Sequence, residues 1–181
     1  MGSGKLTIIA RPAAAPDLGI VSSIFAWYAV NTVATFEDAP RPETEWLAVL
    51  RDLDARRLPF LVADADGEIV GYAYAAPWRR KSAYAATVED SVFVAPEHTG
   101  RGIGRVLLTS LMTAAFAAGA REMIAVIADS HAVASVALHR ACGFRHVGRL
   151  TNVGYKHERW IDTVLMQRTL GAENVAAHSS S

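Results

Sequence analysis

An apolar run, Val92-Phe93-Val94, ends at Ala95-Pro96 and a short polar loop, and three glycines at alternate positions follow: Gly100, Gly102 and Gly104. From Val106 to Ala118 the pattern is helical. Strand, glycine-rich loop and helix in that order build an anion cradle. Glycine lets the backbone pass close to a ligand and tolerates positive φ. The loop amides and the positive end of the helix dipole then converge on one place. The chemistry implied is phosphate binding; the alternative is a loop that simply needs small residues. The loop is not a Walker A motif, because no Gly-Lys-Ser/Thr ends it, and Gly2-Ser3-Gly4-Lys5 fails the same pattern because Leu6 follows. Nor is it the dinucleotide fingerprint, since the spacing is Gly-x-Gly-x-Gly and no acidic residue ends a second strand at the required distance.

Other residues carry chemistry singly. Glu89 lies mid-strand just upstream of the cradle. On alternation alone it reads as a solvated carboxylate; in a cleft the same group can serve as a general acid or base, with burial raising its pKa. Asp90 falls on the opposite face and is read as structural or as the partner of an arginine. His139 either caps local carbonyls or moves a proton. Arg79, after Pro77-Trp78, offers a guanidinium fork for a bidentate anion such as a carboxylate; Arg80 and Lys81 read as a solvated basic run. Cys142, the single cysteine, precedes Gly143 with no oxyanion motif nearby and reads as a small buried hydrophobe. No His/Cys/Asp/Glu spacing suggests a metal site, and Lys156-His157-Glu158 reads as a surface turn.

These residues sit in a chain of 181 residues, long enough for one domain with a sizeable core. Lysine plus arginine equals aspartate plus glutamate, 18 each, so there is no basic excess to favour nucleic acid. No apolar run approaches a membrane span. The lone cysteine and the lack of a signal-peptide pattern point to the cytoplasm. Residues 1–4 and 171–181 are expected to be flexible ends around a single domain over 5–170.

The elements follow from periodicity. Strands are expected over Lys5–Arg11, Phe60–Ala63, Ile69–Tyr74, Tyr84–Val94, Arg121–Ala128, near Phe144–Gly148 and over Ile161–Thr169, with a hairpin at Asp64–Gly67. Helices are expected from Pro16-Asp17 to about Thr32, with Ile20, Ile24, Trp27 and Tyr28 on one stripe, and from Glu43 to Arg57, with Trp46, Leu47, Leu50 and Leu53 inward. The cradle helix and a short helix over His131–Ala141, stopped by Gly143, complete the set. Hairpins mixed with crossovers predict an α/β (α+β) fold: a mixed sheet with helices on its faces.

Val94-Ala95-Pro96 with Thr99-Gly100-Arg101-Gly102-Ile103-Gly104 resembles the acetyl-CoA motif of the GNAT superfamily of N-acetyltransferases. Leu138-His139-Arg140-Ala141-Cys142-Gly143-Phe144 resembles its later signature, a short helix ending in Gly-Phe. Gly71–Arg79, Thr87–Val94 and Val153–Trp160 extend the likeness to the phosphinothricin and methionine sulfone acetyltransferases, from about Ile8 to Leu170.

The resemblance implies a central, mostly antiparallel seven-stranded sheet flanked by about four helices, splayed between the strand before the glycine loop and the one after it. It implies acetyl-CoA as co-substrate and no metal. The amides of Gly100, Arg101, Gly102, Ile103, Gly104 and Arg105 would hold the pyrophosphate, and backbone groups of Val92, Phe93 and Val94 the pantetheine arm. Thr99 departs from the usual Gln or Arg, and Arg101 would supply the cation. The Ala128–Ser135 segment lacks the usual Asn and carries one extra residue; Ser135 keeps a hydroxyl there. Glu89 would be the general base toward an α-amine, and His139 general acid, second base or structural. Phe36, Arg79, Tyr84 and Thr87 would line the acceptor pocket, with Phe36 and Tyr84 equally readable as anchors of their loops in the core.

The implied activity is direct acetyl transfer to the α-amine of a small amino-acid-like substrate of the phosphinothricin, methionine sulfone or methionine sulfoximine type. Its rivals are a protein N-terminal or lysine acetyltransferase on the same fold, and a non-catalytic acyl-CoA sensor. The resemblance also implies a homodimer, for which Tyr155–Trp160 offers apolar and aromatic residues.

Overall fold

The computed structural model describes residues 7–128 and 133–171. The expected flexible ends, apart from Gly171, the strand start at Lys5-Leu6 and the Asp129–Ala132 segment with the helix start at His131 lie outside the described residues.

Seven strands form one sheet: β1 (Ile8–Pro12), β2 (Phe60–Ala65), β3 (Glu68–Pro77), β4 (Thr87–Val94), β5 (Glu122–Ala128), β6 (Arg145–Lys156) and β7 (Arg159–Thr169). Their spatial order is β1-β2-β3-β4-β5-β7-β6. Every pairing is antiparallel except β4 with β5. That parallel pair needs a crossover, which helix α3 (Ile103–Ala117) provides. Helices α1 (Leu18–Asn31) and α2 (Glu43–Ala55) precede β2, and α4 (Val133–Ala141) follows β5.

Two cores lie on the two faces of the sheet. Trp46, Phe25, Phe60, Tyr72 and Val62 pack under α1 and α2. Leu107, Leu108, Leu111, Met123 and Phe144 pack under α3 and α4. On α2 the expected inward residues Trp46, Leu50 and Leu53 are buried. On α1 the stripe differs: Leu18, Val21, Ile24, Phe25 and Ala29 face the sheet, while Ile20 and Trp27 are exposed. This helix is apolar almost all round, so periodicity alone selects no face.

Several strands differ in length from expectation: β2 and β3 run on to Ala65 and Pro77, and β4 and β6 differ for reasons visible in the structure. The segment before β4 is a tight turn at Ser82–Tyr84, with Tyr84 N–H donating to the Lys81 carbonyl, and the strand begins at Thr87. β6 runs on past Gly148 through a bulge between Leu150 and Gly154 to Lys156. It turns into β7 at His157 and Glu158, both at positive φ (50° and 59°). A two-residue hairpin turn needs that conformation and usually announces it with Asn-Gly or Asp-Gly; here neither residue is a glycine.

The sheet forks at β4. β4 and β5 are in register only from Thr87↔Glu122 to Glu89↔Ile124. Beyond Glu89, β4 stays with β3 as far as Gly71↔Val94, and β5 stays with β7 as far as Ala128↔Thr163. The two strands part immediately after Glu89.

Candidate active site

The fork leaves β4 with an unpaired edge, and the ladder on its other side fixes which groups line it. Trp78 N–H donates to the Thr87 carbonyl at 3.2 Å, and Ala95 N–H to the Val70 carbonyl at 2.9 Å, bracketing the β3–β4 register. Alternation along an antiparallel pair then turns the backbone groups of Glu89, Ser91 and Phe93 toward β3 and those of Val92 and Val94 toward the open edge. Of the three residues expected at the pantetheine arm, Phe93 therefore differs: its amide and carbonyl belong to the β3 ladder, opposite Tyr72. Its ring packs on Tyr72, centroids 5.3 Å apart. The Val94 carbonyl already accepts the Tyr28 hydroxyl at 2.7 Å, a link from α1 that no local pattern announces.

The cradle lies at the wide end of the fork. Gly100 and Gly102 have φ of +75° and +83°, and a β-carbon at either would meet nothing within 4 Å. Glycine is there for backbone conformation, with open space in front. Gly102 caps α3, and its carbonyl takes the amides of Arg105 and Val106, so the Arg105 amide is engaged within the helix end. The amides of Ile103 and Gly104 belong to the first turn, where helices leave donors unused. Gly104 serves packing instead. A β-carbon there would stand 3.1 Å from Leu138 Cδ2, so α4 packs on the start of α3 only because this residue is small. Arg101 turns its guanidinium back to His98, Nη1 3.5 Å from Nδ1, and His98 in turn lies 3.5 Å from Glu68. Thr99 donates to the Pro96 carbonyl.

Glu89 and Asp90 point to opposite faces. Glu89 shares the α1–α2 face with Ala76, Tyr74 and Phe93 by cross-strand register. Burial raises its carboxyl above the ordinary carboxylate range; the Asp90 charge adds to the rise and Arg79 opposes it. Arg79 therefore acts on Glu89, in keeping with a shared site, while its guanidinium stacks over Trp78 at 4.3 Å. Thr87 heads β4 two residues upstream, and exposed Tyr84 lies in the preceding turn. Phe36, 41% exposed, sits in the connection between α1 and α2 with its ring against Gly154 of β6.

Asp90 lies on the α3–α4 face, and its partner is His139, not an arginine. Nε2 of His139 is 2.9 Å from Asp90 Oδ2, and Nδ1 is 2.7 Å from the Ser135 carbonyl. An Nδ1–H must donate to that carbonyl, so Nε2 is the titrating atom. Burial alone would lower the His139 pKa. The hydrogen bond and charge of Asp90, aided by the Ser135 carbonyl, outweigh it and leave the pKa raised. The ring is 4% exposed and edge-on to Phe144. Ser135 Oγ is 3.4 Å from the same Nδ1. Asp90 Oδ1 is buried with no hydrogen-bond partner among the described residues.

Lys156, expected in a surface turn, is 4% exposed. Its ammonium donates to the carbonyls of Thr35 and Glu37, both at 2.8 Å. Nothing nearby in sequence signals that contact. Cys142 is buried, as expected of a small hydrophobe. Among the described residues no cluster of His, Cys, Asp and Glu could hold a metal, and no helix is long and apolar enough to cross a membrane. The clefts lined by Thr109, Met112 and Phe116, and by Gly143, Arg145 and Gln167, lie away from Glu89 and carry none of these groups.

A seven-stranded sheet forked beside a glycine cradle is the arrangement that the resemblance to the N-acetyltransferases implied. The chain belongs to the acetyltransferase (GNAT) family, whose family model matches residues 21–144. It is 46% identical over 156 residues to the phosphinothricin N-acetyltransferase of Alcaligenes faecalis, covering 86% of this chain and 79% of the relative. It is 37% identical over 161 residues to the L-methionine sulfoximine/L-methionine sulfone acetyltransferase of Pseudomonas aeruginosa, covering 88% and 93%. Its fold matches the crystal structure of a phosphinothricin acetyltransferase from Sinorhizobium meliloti in complex with AcCoA, with a TM-score of 0.88 and 42% identity over 92% of this chain and 90% of that one.

Proposed function

We propose that this enzyme transfers the acetyl group of acetyl-CoA directly to the α-amine of a small amino-acid-like acceptor of the phosphinothricin, methionine sulfone or methionine sulfoximine type. The observation that carries the reading is the place of Glu89: the last residue paired with β5 before the sheet opens, with its pKa raised and Arg79 acting on it. The relatives' names support the acceptor class.

The described residues fit the co-substrate. Val92 turns its amide and carbonyl, and Val94 its amide, to the open edge, Gly100 and Gly102 leave open space in front of the cradle, and Asp90 Oδ1 is a buried acceptor with no donor among the described residues. Acetyl-CoA supplies the activated acetyl group when bound.

The protein's own part is proton handling and orientation. An α-ammonium has no lone pair, and most α-amines are protonated at neutral pH. Glu89 takes that proton, directly or through one water, and its raised pKa brings it toward the amine's. Arg79 pairs with the acceptor's carboxylate or phosphinate and holds the amine at the fork. Phe36, Tyr84 and Thr87 bound the acceptor. On the other face, His139 holds a proton at Nε2 against buried Asp90 with Nδ1 on the Ser135 carbonyl, an arrangement that favours a structural role over proton delivery. Exposed apolar residues on the β6–β7 hairpin suit a homodimer, and a single buried thiol suits the cytoplasm.

The test is a thiol-release assay against phosphinothricin, methionine sulfone, methionine sulfoximine and the common amino acids. Turnover on the first three is expected. Turnover confined to peptide amines or lysine side chains, or binding of acetyl-CoA without turnover on any amine, would overturn the reading.

A further inference from the structure

The loop that carries Phe36 is held by the far edge of the sheet. Lys156 of β6 is almost wholly buried, and its ammonium donates to two carbonyls, Thr35 and Glu37, which flank Phe36 on either side. Two residues back on the same face of β6 is Gly154. A β-carbon there would fall 2.5 Å from Phe36 Cζ and 2.7 and 2.8 Å from its two Cε atoms. The ring edge thus occupies the space a side chain at 154 would fill. His157 Nε2, 3.3 Å from the Thr32 carbonyl, adds a third contact to the same loop.

The loop in turn faces the reacting side of the sheet. Glu37 pairs with Arg41, whose guanidinium lies over the rings of Phe25 and Trp46. Trp46 in turn packs on Tyr74, ring centroids 6.0 Å apart, and Tyr74 shares the face of Glu89 by cross-strand register. Phe36 is therefore tied to β6 from behind while its loop spans the face on which Glu89 lies.

We propose that Lys156 and Gly154 are positioning residues for acceptor specificity: the lysine clamps the backbone on both sides of Phe36, and the glycine provides the space that sets how far its ring withdraws from the acceptor. The proposal rests on the acceptor reading given above. A buried ammonium bound to two carbonyls fixes the loop more firmly than a neutral contact, because charged hydrogen bonds are the stronger kind. Replacing Lys156 frees the loop without touching Glu89, Arg79 or the cradle. Adding a methyl at 154 pushes the ring toward the acceptor.

The test pairs kinetics with hydrogen exchange. In Lys156→Met the amides of residues 33–38 exchange faster while those of α3 keep their protection. The acceptor KM rises about tenfold, within the range that small misplacements of a binding wall produce, and the acetyl-CoA KM stays unchanged. Lys156→Arg, which keeps the charge, recovers part of the loss. Gly154→Ala, which leaves the clamp in place, shifts preference toward acceptors with shorter side chains. Adding Phe36→Leu to Gly154→Ala restores the original ranking by returning the space.

Equal changes in both KM values, or an acceptor ranking indifferent to Gly154→Ala, would overturn the proposal. Should Lys156→Met fail to fold, the Gly154→Ala and Phe36→Leu pair decides it. A wild-type enzyme inactive on every amino-acid acceptor overturns the functional reading and this proposal with it. An active wild type whose ranking the variants leave alone overturns the positioning role only.

Discussion

His139 Nε2 meets Asp90 Oδ2 at 2.9 Å across 49 residues of chain, on the face of the sheet opposite Glu89. The neighbouring carboxylates of β4 thus serve two environments. Glu89 faces the aromatic side, where burial and the Asp90 charge raise its pKa; Asp90 faces α4, where it holds an imidazole.

Asp90→Asn is expected to lower the His139 pKa. Removing one partner of a buried pair costs about 3–5 kcal/mol. The sign of the pH dependence follows from the raised His139 pKa. Its stabilising contribution is fully present below the unfolded value of 6.5 and is lost as pH rises through the folded value. The stability gap between wild type and variant should therefore be widest on the acid side of that window and narrow above it. Imidazole NMR titration together with urea melts at several pH values checks this. A His139 titration unchanged by the variant would show that Asp90 does not hold the proton.

Glu89→Gln should lower kcat by about 10²–10⁴-fold at neutral pH, the usual range for a lost general base, while acetyl-CoA binding is retained. The acid limb of the wild-type kcat/KM profile should sit above the ordinary carboxylate range, because burial raises the Glu89 pKa. A raised carboxyl pKa means that ionisation opposes folding, so the glutamine variant should melt no lower than wild type at pH values where Glu89 is charged. Wild-type turnover in this variant would remove the base assignment.

The glycines of the cradle should respond differently. Gly102→Ala keeps its surroundings but forces an alanine to φ near +83°, at a cost of about 1–2 kcal/mol. Gly104→Ala has ordinary backbone but brings a methyl onto Leu138, displacing α4 and with it His139. The first should weaken acetyl-CoA binding with modest loss of stability. The second should also disturb the His139 titration. Calorimetric binding and the same NMR titration separate them; identical effects would mean that the two glycines act in the same way.

Much of this was legible in the sequence for a physical reason. The cradle is contiguous, so strand, glycines and helix announce themselves through local rules, and the α2 stripe follows from its period. The long-range pieces leave no local mark. Asp90 reads as a partner for arginine until the fold brings α4 over β4. Lys156 reads as part of a surface turn because His157 and Glu158 form that turn, and only the packing of the Phe36 loop on β6 buries it. The Phe93 backbone shows the limit of motif transfer: the motif names three consecutive residues, but alternation along β4 gives the open edge only every second one.

The β6–β7 hairpin carries the last prediction. β6 is the edge of the sheet, and Leu150, Val153, Tyr155 and Trp160 stand exposed on this hairpin, Trp160 at 63%. Tyr155 and Trp160 face each other across the strands, with ring centroids 5.1 Å apart. A grouping of exposed aromatics along an unpaired strand is poorly suited to water and well suited to a partner surface. A second copy of this chain is the expected partner. Sedimentation at micromolar concentration should give twice the chain mass for wild type and the single mass for a Tyr155→Asp/Trp160→Asp variant. Because Gly154 and Lys156 lie on the other face of β6, the monomeric variant should keep its Phe36 loop protected in hydrogen exchange. A monomeric wild type would refute the dimer, and a dimer indifferent to these two substitutions would place its interface elsewhere.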